Sequence, residues 1–136
     1  MSEANTKSVF CELIAELDPV PVENLLTGKN CVGIPDVNFA GGWAEIKWCP
    51  RWPVRENTPL RVKFRPKQKE WALRRTTTTG EECWLILQVR QEWFVFDADG
   101  MQEVGNLTHS ELIETARAYF PKKPTSEELL RILSSF

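Results

Sequence analysis

Gly33-Ile34-Pro35-Asp36-Val37-Asn38, followed after a short turn by Gly42-Trp43-Ala44-Glu45-Ile46-Lys47-Trp48, is the stretch from which the rest of this chain is read. Residues 31–39 and 43–48 read as two strands joined at Ala40-Gly41-Gly42. In a strand, residues i and i+2 point to the same face. Glu45 and Lys47 therefore share a face, and Ile46 points away into the core. With Asp36 on the neighbouring strand, two carboxylates and one ammonium gather around a small cavity.

That set suits phosphodiester chemistry. Mg²⁺ takes hard oxygen ligands and is held by one or two carboxylates plus substrate phosphate. Asp36 and Glu45 can supply the carboxylates and the backbone carbonyl of Ile46 a further oxygen. A bound metal lowers the pKa of its water and steadies charge on the phosphate. Lys47 can orient that water or stabilise the phosphorus as it becomes pentavalent. Glu-x-Lys alone is a common tripeptide, and a surface hairpin with an ordinary Glu–Lys pair is the plain alternative. The preceding Pro-Asp and the Gly41-Gly42 turn sharpen the reading.

The 136 residues suffice for one domain with a single core. Apolar residues make up 42 % and charged residues 26 %, so neither a disordered nor a membrane-embedded class is indicated. No apolar run approaches the length of a bilayer span. Met1-Ser2-Glu3-Ala4-Asn5 lacks the basic start and apolar run of a signal peptide, so a cytoplasmic protein is expected. Cys11, Cys31, Cys49 and Cys83 form no Cys-x-x-Cys pair, and His109 is remote in sequence, so buried reduced thiols are expected rather than a zinc site.

The net charge is −2, yet between Lys47 and Arg75 ten basic residues face only two acids, a local +8. A basic stretch beside an acidic site suits a polyanion. Arg51, Arg55, Lys67, Lys69, Arg74 and Arg75 are the expected contacts to DNA phosphates. A solvated helix and loop would show the same charge run.

Elsewhere, residues 6–17 carry an apolar helical face ended by Asp18-Pro19 and Pro21. A short strand is expected at 20–25. The proline-rich 49–60 reads as a loop, and a long ordered loop is often functional. Residues 65–79 read as a helix with Pro66 in its first turn and Gly80 as its stop. Residues 84–89 read as a buried strand and 93–97 as its neighbour. Thr108/Glu111 and Thr125/Glu128 have capping-box spacing for two last helices, to Tyr119 and Leu133. The order α-β-β-β-α-β-β-α-α predicts an α/β or α+β core with a mixed central sheet flanked by helices.

That order, with Asp36 and Glu45-Ile46-Lys47 on consecutive strands, resembles the PD-(D/E)xK nuclease superfamily. The 33–38 and 42–48 stretches quoted above, then Trp52-Pro53-Val54-Arg55 and Gln68-Lys69-Glu70-Trp71, resemble small phage-encoded nucleases of the VRR type, related in fold to archaeal-type Holliday junction resolvases. The likeness covers residues 22–89, with helices expected at 108–135. It implies a restriction-endonuclease-like core across a single 1–136 domain, cleavage of DNA dependent on Mg²⁺ or Mn²⁺, and homodimers. It carries Asp36 and Glu45 over as metal ligands, Lys47 as the catalytic lysine, and Gln68 as the glutamine that opens the following helix. The upstream acid of such sites falls on Glu23, with Glu12 as the competing candidate. This chain has Pro21 where phage relatives carry arginine before Glu23-Asn24.

Trp43, Trp71, Trp84 and Trp93 are expected in the core, whereas Trp48 and Trp52 flank the Arg51 loop and can reach DNA. His109 receives no role. The expected function is a metal-dependent endonuclease on branched DNA, a Holliday junction resolvase acting in the cytoplasm (the host's, if phage-encoded). The alternatives are a nickase or general DNA nuclease, a nucleic-acid-binding protein with a decayed site, and an interaction protein with no nucleic-acid partner. No membrane partner is expected.

Overall fold

Strand β3, Gly42–Cys49, organises the molecule, and a computed structural model describes residues 2–22 and 33–134 around it. Among the described residues six strands order as β1 (Val20–Pro21), β2 (Val37–Phe39), β3, β4 (Glu82–Val89), β5 (Glu92–Phe96) and β6 (Ala118–Phe120). Only β3 and β4 run parallel, and every other neighbouring pair is antiparallel. A parallel pair cannot close through a tight turn. Its crossover is the 50–67 loop and helix α2, Gln68–Thr79. The result is the mixed sheet flanked by helices that the sequence predicts.

Side-chain alternation divides the core in two. Cys83, Leu85, Leu87, Val89, Phe94 and Phe96 face α2, the short α3 (Ala98–Met101) and α4 (His109–Thr115). Ala44, Ile46, Trp84, Ile86, Trp93 and Val95 face α1 (Glu3–Leu13) and α5 (Ser126–Ser134). Both faces of β4 are covered, which is why its sequence is a continuous apolar run. On β3, Glu45 and Lys47 replace apolar residues on the α2 face and leave a polar gap in the first core.

Four expectations change. Helix α1 starts at Glu3, because Ser2 accepts the Asn5 N–H through its Oγ and caps it; residues 15–17 continue as a 3₁₀ turn. Strand β2 is shorter than 31–39, and Asp36 lies in a bend just before it. Helix α2 begins at Gln68, after Lys67 takes a left-handed conformation with φ 72°. The helix predicted to run to Tyr119 stops at Thr115, and Ala118–Phe120 joins the sheet as β6. Both capping boxes form: Thr108 with Glu111, and Thr125 with Glu128. No described helix is long and apolar enough to cross a membrane.

Candidate metal centre

Asp36 sits where β2 gives out. The register pairs Val37 with Ala44, so the next N–H along β3 on that side, from Ile46, has no strand to meet. Asp36 Oδ2 accepts it at 2.9 Å. The N–H and C=O of one strand residue leave the backbone on the same side. The Ile46 carbonyl therefore faces the Asp36 side.

Glu45 is 2 % exposed and Lys47 is 8 % exposed, unusual burial for such side chains. Gln68, the first residue of α2, ties them together. Its Nε2 donates to Glu45 Oε2 at 2.8 Å, and its Oε1 accepts from Lys47 Nζ at 3.1 Å and from the Arg65 N–H at 2.6 Å. Flipping that amide would set its NH₂ against an ammonium and a backbone N–H, so the orientation is fixed by its partners. Lys47 Nζ also lies 3.4 Å from Glu45 Oε2.

A third carboxylate joins from the first turn of α1. Ligand oxygens of Glu3, Asp36 and Glu45 all lie within 4.8 Å of one another. Three carboxylates beside one ammonium leave excess negative charge. Burial pushes Glu45 up to about 8, and the neighbouring Asp36 carboxylate adds to the rise. In the absence of a cation Glu45 holds a proton at neutral pH. Its buried Oε1 accepts no hydrogen bond, and its close neighbour is the Asp36 carboxylate, so a cation between the two can take the place of the shared proton. Three hard oxygen donors within reach of one ion fit a divalent cation.

The mouth of the site is a cavity of about 520 Å³ lined by Glu3, Lys47, Lys63, Phe64, Arg65 and Pro66. Arg65 reaches to 3.8 Å from Asp36 Oδ1. Lys47 Nζ stands 5.1 Å from the Phe64 ring centre. Buried Lys47 and exposed Glu3, Lys63 and Arg65 line that cavity, an arrangement that can hold a phosphate beside the acidic cluster.

Asp36, Glu45, Lys47 and Gln68 are thus brought together. Glu23 lies outside the described residues. Glu12 is exposed and lines a different cavity with Asn5, Gln88 and Lys123. It stands about 13 Å along the helix from Glu3. Sequence reasoning missed Glu3; the signal was Ser2 as a helix cap, which moves the start of α1 forward onto it.

The basic residues divide. Arg51, Arg55 and Lys67 are exposed. Arg74 pairs with Glu70 at 2.8 Å. Arg75 pairs with Glu81 at 2.7 Å and lies over the Trp43 and Trp71 rings. Lys69 is turned inward, donating to the carbonyls of Gln102 (3.2 Å) and Val104 (2.6 Å), and burial lowers its pKa. Trp84 and Trp93 are core residues, and Trp43 is half-buried edge-on against Trp71. Cys49 and Cys83 are buried free thiols, Cys11 is a half-buried one, and Cys31 lies outside the described residues.

Comparison of the chain with family models, with curated proteins and with solved structures finds no match.

Proposed function

We propose that this protein is a metal-dependent DNA endonuclease of PD-(D/E)xK type, acting on branched DNA as a homodimer. The observation that carries the reading is the buried Glu45–Gln68–Lys47 triad beside Asp36 and Glu3, three carboxylates close enough to share one ion. A structural Glu–Lys pair needs no such burial, which is costly unless the charges do something.

Asp36, Glu45, Glu3 and the Ile46 carbonyl would hold Mg²⁺ or Mn²⁺, which when bound supplies Lewis acidity and a more acidic water. Lys47, fixed by Gln68, presents its ammonium to the same cavity and neutralises charge growing on the phosphate. Lys63 and Arg65 at the mouth, with Arg51, Arg55 and Lys67 beyond, hold the backbone on either side of the cut. Contacts of this kind position DNA without reading bases, so no sequence preference follows from them.

The test is cleavage of a labelled four-way junction beside a linear duplex of the same sequence, with Mg²⁺, with EDTA, and with Asp36→Asn. Paired symmetric cuts confined to the junction, lost in EDTA and in the variant, support a dimeric resolvase. Equal cutting of both substrates keeps the metal site and removes the junction preference. Tight binding with no cutting in Mg²⁺ or Mn²⁺ overturns the nuclease reading in favour of a binding protein.

A further inference from the structure

A second cavity, of about 380 Å³, opens where the loop after β3 leaves the sheet. Trp52, Pro53, Val54 and Arg55 form one wall, and Glu92 and His109 the other. Its size falls in the range of ligand pockets, roughly 300–1,000 Å³.

One carboxylate fixes the aromatic part of that wall. Glu92 Oε1 accepts from the Tyr119 hydroxyl at 2.7 Å and pairs with His109 Nε2 at 2.8 Å, and its Oε2 accepts the Trp52 indole N–H. Burial alone would raise Glu92; the bonds from His109, Tyr119 and Trp52 outweigh it, and its pKa is lowered. The Trp52 ring also meets His109 edge-to-face at 4.5 Å and Phe94 at 5.9 Å. Trp52 is therefore set in place before any ligand arrives, and little rotamer entropy remains to be lost on binding. Beside it Val54 is fully exposed, and Leu73 is the one other exposed large apolar side chain among the described residues. Exposed Arg51 and Arg55 flank the tip.

The cavity's place in the fold gives it meaning. Cys49 pairs with Val89 and Val89 with Glu92, so Glu92 lies two strands from Cys49, about 10 Å away. Cys49 follows Lys47 by two residues. The cavity and the acidic cluster therefore share one end of the sheet and are joined by the same loop. The fixed aromatic wall, with Pro53 and Val54 beside it, matches a base, and the Arg55 guanidinium its phosphate; Glu56, Thr58 and Ser110 complete the lining.

We propose that this cavity takes one unpaired nucleotide of the DNA, its base against Trp52 and its phosphate on Arg55. It registers a branch or overhang against the acidic cluster. The proposal rests on the nuclease reading and supplies what that reading lacks, a feature able to tell branched from linear DNA.

The test is fluorescence anisotropy with Ca²⁺ in place of Mg²⁺. The probes are a blunt duplex, the same duplex with a short single-stranded overhang, and that overhang made abasic. The overhang is expected to bind about tenfold tighter than the blunt end, as one stacked base contributes about 1–3 kcal/mol. That preference disappears with the abasic probe and with Trp52→Ala or His109→Ala. Photocrosslinking of a 5-bromouracil overhang to Trp52 checks the same contact without any variant. Equal binding of blunt and overhung probes overturns the proposal and leaves the nuclease reading standing. Competition by a free deoxynucleoside monophosphate without overhang preference also overturns it, since the pocket would then serve nucleotides rather than a strand. Absence of binding to every DNA sinks both readings.

Discussion

Glu45 keeps its proton because it is buried and sits beside a second carboxylate, and that has a cost that varies with pH. Its folded pKa of about 8 lies above the unfolded value. Between roughly pH 4.5 and 8 the unfolded chain has released a proton that the folded chain retains, so stability falls as pH rises through that window. Glu45→Gln has no proton to lose. Without metal, its melting temperature should exceed that of the wild type by an amount that is near zero at pH 4.5 and grows steadily up to pH 8. A difference independent of pH would mean Glu45 is not buried as described. Divalent ions should restore the wild type at high pH and release a proton on binding. Glu3→Gln leaves the other two carboxylates in place. It should weaken Mn²⁺ binding by calorimetry roughly tenfold, following the loss of ligand charge, whereas Glu12→Gln should not change it.

Gly33 holds two elements together. Its φ is +87°, and a Cβ placed there would meet the Lys67 carbonyl at 2.5 Å. The segment leading to Asp36 is thereby pressed against the start of α2, where Gln68 begins. Gly33→Ala should cost about 2–3 kcal/mol in a urea titration, and cleavage should fall further than the unfolded fraction explains because Gln68 moves with the helix. Residues within an element were legible from sequence. The alternation on β3 put Glu45 and Lys47 on one face, and the apolar run of β4 marked a strand covered on both sides. Contacts between distant elements were not. The one local signal against a continuing helix at Ala118-Tyr119-Phe120 is Pro121, which disfavours helix at the residue before it. The segment becomes a strand because β5 offers an open edge, where the Arg117 N–H finds the Val95 carbonyl at 2.8 Å. Gln68 was legible by resemblance alone. The Trp52–Glu92–His109 cluster joins three segments that no spacing rule connects.

Across the whole molecule, charge that looks uniform in sequence is sorted by the fold. Lys69 belongs to the packing between α2 and the turn after α3, whereas Arg51 and Arg55 stand in solvent. Arg51→Ala and Arg55→Ala should each lower the salt slope of DNA binding by about one and leave melting unchanged. Lys69→Ala should do the reverse, lowering the melting temperature with no change in slope. The parallel β3–β4 pair has a consequence in time. Thirty-two residues separate Cys49 from Glu82, and closing such a loop precedes any contact that rewards it. Glu45 and Lys47 lie before that gap and Gln68 inside it, so the ligand-holding face is finished only when β4 docks. A growing chain therefore carries every residue of the acidic cluster before it can hold them together, and the cluster closes only after Val89 has been made.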